Sequence, residues 1–305
     1  MTPDEFTNQE LMLDVGDGHT LYVHDWGNPK AKTPIIFLHG GPGIGCSDRY
    51  KLRFDPTQHR VIFHDQRGTG HSTPYGSLQY NTTQKLVEDI ETIATKLKLS
   101  SFILTGGSWG STLALMYALT YPKRVSQLII NGVFTASKSE IDWFEQGYFR
   151  IFYPEYWQKF VASVPKTHQK DPAAYHIKHI LGSDQAKAAN SAQVYSELEG
   201  SLMSIDERPR LKPSGEFDPV PTKIEVHYIN NKCFMPSERY IMQQAHSLTM
   251  PVWIVQGRYD MVCPPVTAHE LHQRIAGSKL IWAMAGHGND RSIYDVMRSL
   301  FLQVA

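Results

Sequence analysis

The chain has 305 residues, 41 % of them hydrophobic and 20 % charged, with 30 basic residues balanced by 30 acidic ones. That length suits one sizeable core carrying an inserted subdomain. The even charge, without a basic stripe or like-charge block, argues against nucleic acid as a partner.

Met1 to Glu10 is polar and acidic and lacks the apolar centre of a signal peptide. No apolar run approaches the roughly 18 residues that span a bilayer. Cys46, Cys233 and Cys263 are too few and too scattered for a disulfide framework, so a cytoplasmic protein without membrane contact is expected.

Along the chain, Leu21 to Trp26 reads as a strand closed by Gly27-Asn28-Pro29, followed by strands at Pro34 to Leu38 and Arg60 to His64. Asn81 to Leu99 has helical periodicity, with Leu86, Ile90, Ile93 and Leu97 on one face and Asn81 or Thr82 as cap. Ser101 to Thr105 is a strand, Ser111 to Thr120 a helix, and Val125 to Ile130 a strand again. This alternation predicts an α/β fold whose mostly parallel sheet is flanked by helices.

Residues from about Thr135 to His246 hold aromatic and helical segments with few strand signals, which predicts an inserted, mainly helical cap. Within it, Arg208 to Pro221 carries four prolines and a glycine and reads as a loop. The strand Pro251 to Gln256, a helix near Val266 to Ile275, the strand Lys279 to Met284 and a last helix from about Arg291 to Val304 complete the chain. The expected division is a core of residues 1–134 and 247–305 with a cap of 135–246.

Gly106-Gly107-Ser108-Trp109-Gly110 matches G-x-S-x-G between a strand and a helix. This is the setting of a nucleophile elbow in the α/β-hydrolase fold, where a sharp turn presents a serine. Ser108 as a simple helix cap is the plainer alternative. His39-Gly40-Gly41-Pro42-Gly43 follows the strand that ends at Leu38, where this fold places one oxyanion donor. The expected donors are the backbone N–H groups of Gly41 and Trp109. A phosphate-cradling loop is the alternative, but the spacing and lysine it needs are missing.

The chain order in this fold is serine, acid, histidine. Among fourteen histidines, His287 follows the last strand, and Asp260 follows the strand after the cap. Asp260 is expected to orient His287, and His287 to take the proton of Ser108. Read singly, Asp260 also fits a turn and His287 an exposed loop.

These segments resemble the proline iminopeptidase (prolyl aminopeptidase) family of serine peptidases. The matching stretches are HGGPG at 39–43, DQRGTGHS at 65–72, GGSWGSTLAL at 106–115, SEIDWF at 139–144 and GRYDMVCP at 257–264. Matches recur from about Leu13 to His287. The resemblance implies a capped α/β hydrolase that uses no cofactor and no metal and releases N-terminal proline from peptides. It assigns Arg67 a structural place.

The resemblance also implies two cap glutamates that grip the substrate's free amine. Here they fall on Glu199, in Leu198-Glu199-Gly200 with Leu where the family has Trp, and on Glu225, in Ile224-Glu225-Val226-His227-Tyr228. For the proline ring it implies an apolar pocket at Phe134 and Phe144 with Cys263 nearby, and Ile229 stands where the family often has Phe. A broader aminopeptidase or an esterase on the same triad, and a non-catalytic receptor of this fold, remain alternatives. The sequence leaves the oligomeric state open.

Overall fold

The computed structural model describes residues 6–205, 217–288 and 291–304. Among these, one sheet of eight strands runs in the order β1-β2-β4-β3-β5-β6-β7-β8. The strands are β1 (Thr7–Gly16), β2 (His19–Gly27), β3 (Ile35–Leu38), β4 (Arg60–His64), β5 (Phe102–Ser108), β6 (Val125–Val133), β7 (Val252–Gly257) and β8 (Lys279–Ala283). β1 pairs antiparallel with β2, and β2 antiparallel with β4. All remaining pairs are parallel.

The parallel strands are mainly apolar because both faces are covered. Alternate residues serve opposite layers. On β3, Ile36 and Leu38 join a core packed by helices α1 (Thr83–Lys96), α2 (Trp109–Thr120) and, from beyond β7, α9 (Pro265–Arg274). Ile35 and Phe37 face the other side, against Ile293, Met297, Leu300 and Phe301 of α10 (Arg291–Gln303). Helix α1 starts where Thr82 accepts the Lys85 N–H and buries Leu86, Ile90 and Ile93 as expected.

Between β6 and β7 lie α3 (Lys138–Glu145), α4 (Pro154–Ala162), α5 (Pro172–Ile180), α6 (Gln185–Leu202), α7 (Val220–Asn230) and α8 (Tyr240–Gln244), with short 3₁₀ turns and no strand among the described residues. Phe149, Phe160, Ile177, Tyr195, Leu202 and Val226 form a separate apolar cluster inside this helical layer.

Three readings of the sequence change. Strand β1 was not anticipated. It pairs on one side only, and Met12, which breaks its apolar alternation, is 51 % exposed. The expected loop Arg208 to Pro221 lies largely outside the described residues, and its last two residues, Val220 and Pro221, open helix α7. Proline suits a first turn, where its missing N–H has no helical partner anyway. Helix α2 begins at Trp109, two residues earlier than the periodicity gives, directly after Ser108.

Candidate functional site

Ser108 closes β5 and precedes α2 with φ 57° and ψ −129°. A side-chain-bearing residue adopts this backbone only under strain, and here the strain sets the hydroxyl at the sheet's carboxyl edge, where open α/β sheets bind ligands. The glycines permit the close approach: a Cβ on Gly106 would lie 2.5 Å from the Gly110 carbonyl oxygen. The Trp109 N–H, at the first position of α2, has no acceptor within the helix.

The loop after β3 is held by hydrogen bonds that the motif alone does not disclose. His39 donates from Nδ1 to the Gly40 carbonyl at 2.8 Å, and its Nε2 accepts the Gln66 N–H at 3.1 Å. Burial holds this imidazole below the ordinary histidine range, so it stays neutral and keeps both roles. Gln66 then ties three pieces together. Its Nε2 donates to the His39 carbonyl at 3.0 Å, and its Oε1 accepts the Trp109 Nε1–H at 2.9 Å. Gly41 follows at φ +108°, a conformation suited to glycine. Arg67, next in the chain, is 1 % exposed and spends its guanidinium on Asp89 at 2.7 and 2.8 Å, with Asp17 at 3.1 Å. It is a structural clamp, as expected.

Asp260 and His287 meet at 2.8 Å between Oδ2 and Nδ1, both buried. The carboxylate is fully engaged. Oδ2 also accepts Gln256 Nε2 at 3.0 Å, while Oδ1 accepts the N–H groups of Val262 at 3.0 Å and Cys263 at 2.8 Å. Burial by itself disfavours the charged imidazole, but the charge and hydrogen bond of Asp260, with Glu199 adding to them, hold His287 above the ordinary histidine value. The His287 backbone N–H donates to the carbonyl of Met203, the residue that caps the C-terminus of α6, at 3.0 Å.

A cavity of about 50 Å³ brings the separated segments together. Its wall includes Gly41, Ser108, Phe134, Phe144, Glu199, Glu225 and Cys263, seven of the residues singled out in the sequence. Glu199 comes from α6 and Glu225 from α7. Helix α7 is anchored beside the site by Tyr228, whose hydroxyl donates to Asn81 Oδ1 at 2.6 Å and whose ring lies 4.6 Å from that of Trp109. His227 Nε2 donates to the Asn81 carbonyl at 3.0 Å.

Burial raises the carboxyl of Glu199, against the pull of His287. Burial and then the charge of Glu199 raise Glu225 well above the ordinary range. The Cys263 thiol is likewise pushed far up by burial and stays protonated.

Five further lining residues carry no role in the sequence reading: Glu140, Ile141, Glu145, Tyr195 and Val262. Glu140 is satisfied at the start of α3, where Oε2 accepts the Ser137 N–H at 3.0 Å and the Thr135 hydroxyl at 2.5 Å. Its place after Ser137 is a capping-box spacing that the sequence displays. Gln66 and Gln256 also escaped notice. The signal for Gln256 is an amide at the end of the otherwise apolar strand β7, whereas Gln66 lies two residues beyond β4.

Residues 33–289 match the α/β hydrolase fold family. The chain is 37 % identical over 284 residues to a probable proline iminopeptidase of Leptolyngbya boryana, covering 92 % of this chain and 88 % of that one. It is 38 % identical to the proline iminopeptidase of Arabidopsis thaliana, covering 90 % of this chain and 74 % of the relative. This chain belongs to the proline iminopeptidase family of α/β hydrolases. The fold is shared more widely: an esterase from Exiguobacterium antarcticum superposes with a TM-score of 0.64 at 19 % identity, covering 97 % of this chain and 99 % of that structure. No helix among the described residues is long and apolar enough to cross a membrane.

Proposed function

We propose that the protein is a serine aminopeptidase that removes an N-terminal proline from peptides. The observation that carries this reading is the single small cavity in which Ser108 and Gly41 face Glu199 and Glu225. An exopeptidase needs a reacting centre at a fixed distance from an ammonium site, in a space that ends just beyond one residue. In this reading, segment 135–246 is the cap that closes that space over a core of 1–134 and 247–305.

Ser108 Oγ attacks the carbonyl of the first residue while His287 Nε2 takes its proton. Asp260 holds the opposite ring nitrogen and stabilises the imidazolium that forms. The negative charge that develops on the carbonyl oxygen is met by the N–H groups of Gly41 and Trp109. His287 returns the proton to the departing amine, and water then releases proline from the acyl-enzyme by the reverse sequence. Glu199 and Glu225 bind the ammonium, whose arrival relieves the repulsion and desolvation that raise their pKa values. Phe134, Phe144 and Cys263 pack the ring.

The test is release from proline β-naphthylamide, with alanine β-naphthylamide, N-acetylproline β-naphthylamide and a simple acyl ester as comparisons. Preference for unblocked proline is the expected result. Equal cleavage of the blocked amide, or turnover of the ester alone, would replace this reading with an esterase. Failure of a fluorophosphonate to label Ser108 would leave a non-catalytic receptor. A broader aminopeptidase is favoured by one observation, the Ile229 side chain on the cavity wall where related sequences often carry Phe.

A further inference from the structure

A second, larger cavity of about 810 Å³ adjoins the first and shares three wall residues with it: Ile141, Glu145 and Ile229. Of the three, only Glu145 is charged. It is the last residue of α3, half-buried, and it makes no hydrogen bond or ion pair among the described residues. On balance its surroundings disfavour its negative charge. Burial raises its pKa to about 7, and Asp171 and then Asp142 push in the same direction, against a smaller pull from Lys138. It also occupies the C-terminal end of a helix, where the backbone dipole favours cations.

The lysines that line the larger cavity do not relieve it. Lys138, Lys178 and Lys232 are all exposed at the rim, where Lys138 pairs with Asp142 at 2.5 Å and Lys232 with Glu238 at 3.8 Å. Glu238 and Asp171 are exposed as well, and Asp171 caps α5. The partition between the two cavities is therefore acidic on the inside, with its cations outside.

We propose that Glu145 is a specificity-determining residue that receives a cationic side chain of the substrate, a lysine or arginine next to the bound amine. The inference rests on the aminopeptidase reading and adds to its substrate class peptides with a cationic side chain beside the free amine. A cation entering from the catalytic cavity satisfies the carboxylate, the helix end and the repelling aspartates together. Ile141 and Ile229 pack the aliphatic stem that leads to it. The cationic residue is either the first of the peptide or the second, and the two positions are separable.

The experiment compares lysine and norleucine β-naphthylamides, which share a stem and differ in the charge, and in parallel proline release from Pro-Lys and Pro-norleucine. Each is measured with the parent enzyme, Glu145→Gln and Glu145→Lys. In the parent, kcat/KM favours lysine over norleucine in one pair, and that pair identifies the position. Loss of one charge-assisted contact at a half-exposed site lowers the lysine-to-norleucine ratio about tenfold in Glu145→Gln, and Glu145→Lys inverts it. Because the carboxylate is strained where it sits, Glu145→Gln melts at or above the parent temperature. Equal rates for lysine and norleucine in the parent, or a ratio unmoved by Glu145→Gln, overturn the proposal. A fall in melting temperature that accompanies loss on every substrate alike marks Glu145 as structural and also overturns it. If proline amides are cleaved while lysine holds no advantage, only this inference fails. If no amide is cleaved, proline included, the aminopeptidase reading fails with it.

Discussion

The two halves of the cavity are built on opposite principles. On the sheet side, the polar groups around Asp260, His287 and Gln66 are partnered. Asp260 accepts four hydrogen bonds, Gln66 binds both His39 and Trp109, and His287 is fixed through ring and backbone. On the cap side, Glu145, Glu199 and Glu225 line the wall with raised pKa values, and their carboxyl groups make no hydrogen bond or salt bridge among the described residues. A satisfied network keeps its geometry through a reaction and needs no reorganisation. An unsatisfied one is stabilised most by what it binds. On the proposed function, the contrast separates chemistry from recognition: the core is organised before substrate arrives, and the cap is completed by it.

The contrast breaks most severely at its catalytic end. Ser108→Ala removes nearly all turnover on amide and ester alike, with the melting temperature retained. Asp260→Asn lowers kcat by roughly 10⁴-fold by favouring the wrong tautomer of His287. Survival of more than a few per cent of activity in Ser108→Ala would sink the assignment of the nucleophile.

On the cap side the losses are smaller and selective. Glu199→Gln and Glu225→Gln each remove one charge-assisted contact, worth about 1.5–3 kcal/mol, or roughly 10- to 150-fold in kcat/KM on unblocked proline amides. Acyl esters without an amine keep their rates, because Ser108, His287 and the oxyanion donors are untouched. Equal loss on both substrate classes would point to a misfolded cap.

Titration sharpens the same division. In the proposed mechanism His287 works as a base only when neutral, and its pKa is raised in the folded protein. On an ester, kcat/KM therefore falls about tenfold per unit as pH drops below a midpoint above the ordinary histidine value. Glu199 and Glu225 are raised too, and in the proposed function they bind an ammonium only when ionised. On proline amides the decline accordingly steepens beyond one proton. Superimposable profiles for ester and amide would contradict the division.

The mildest break lies behind the oxyanion donors. Gln66→Leu leaves the Trp109 Nε1–H buried without its acceptor, a cost of about 1–3 kcal/mol in stability. Its effect on kcat is several-fold, in step with the loosening of the donors. Urea unfolding together with ester kinetics reads both quantities.

How much of this is legible in the sequence depends on where the constraint lies. Loops 39–43 and 106–110 are legible because close backbone approach demands glycine, and the strand before each is an unbroken apolar run. Asp260 and His287 are legible because both follow strands whose order the fold dictates. Strand β1 was not, because an edge strand buries one face only and Met12 hides its alternation among polar neighbours. Glu145 and Tyr195 were not, because they reach the site only through the packing of α3 and α6, which no local period encodes. Gln66 and Gln256 act through contacts that cross the sheet.

Ser108 sits in a backbone conformation that glycine adopts freely and serine does not. Held there, it costs on the order of 1–3 kcal/mol of folding free energy. Random mutagenesis scored only on thermal tolerance would therefore enrich Ser108→Gly, a more robust protein with its nucleophile erased. Selection for function acts at this position against the fold's own preference. A lineage freed from that selection would be expected to drift first toward a sturdier, silent descendant.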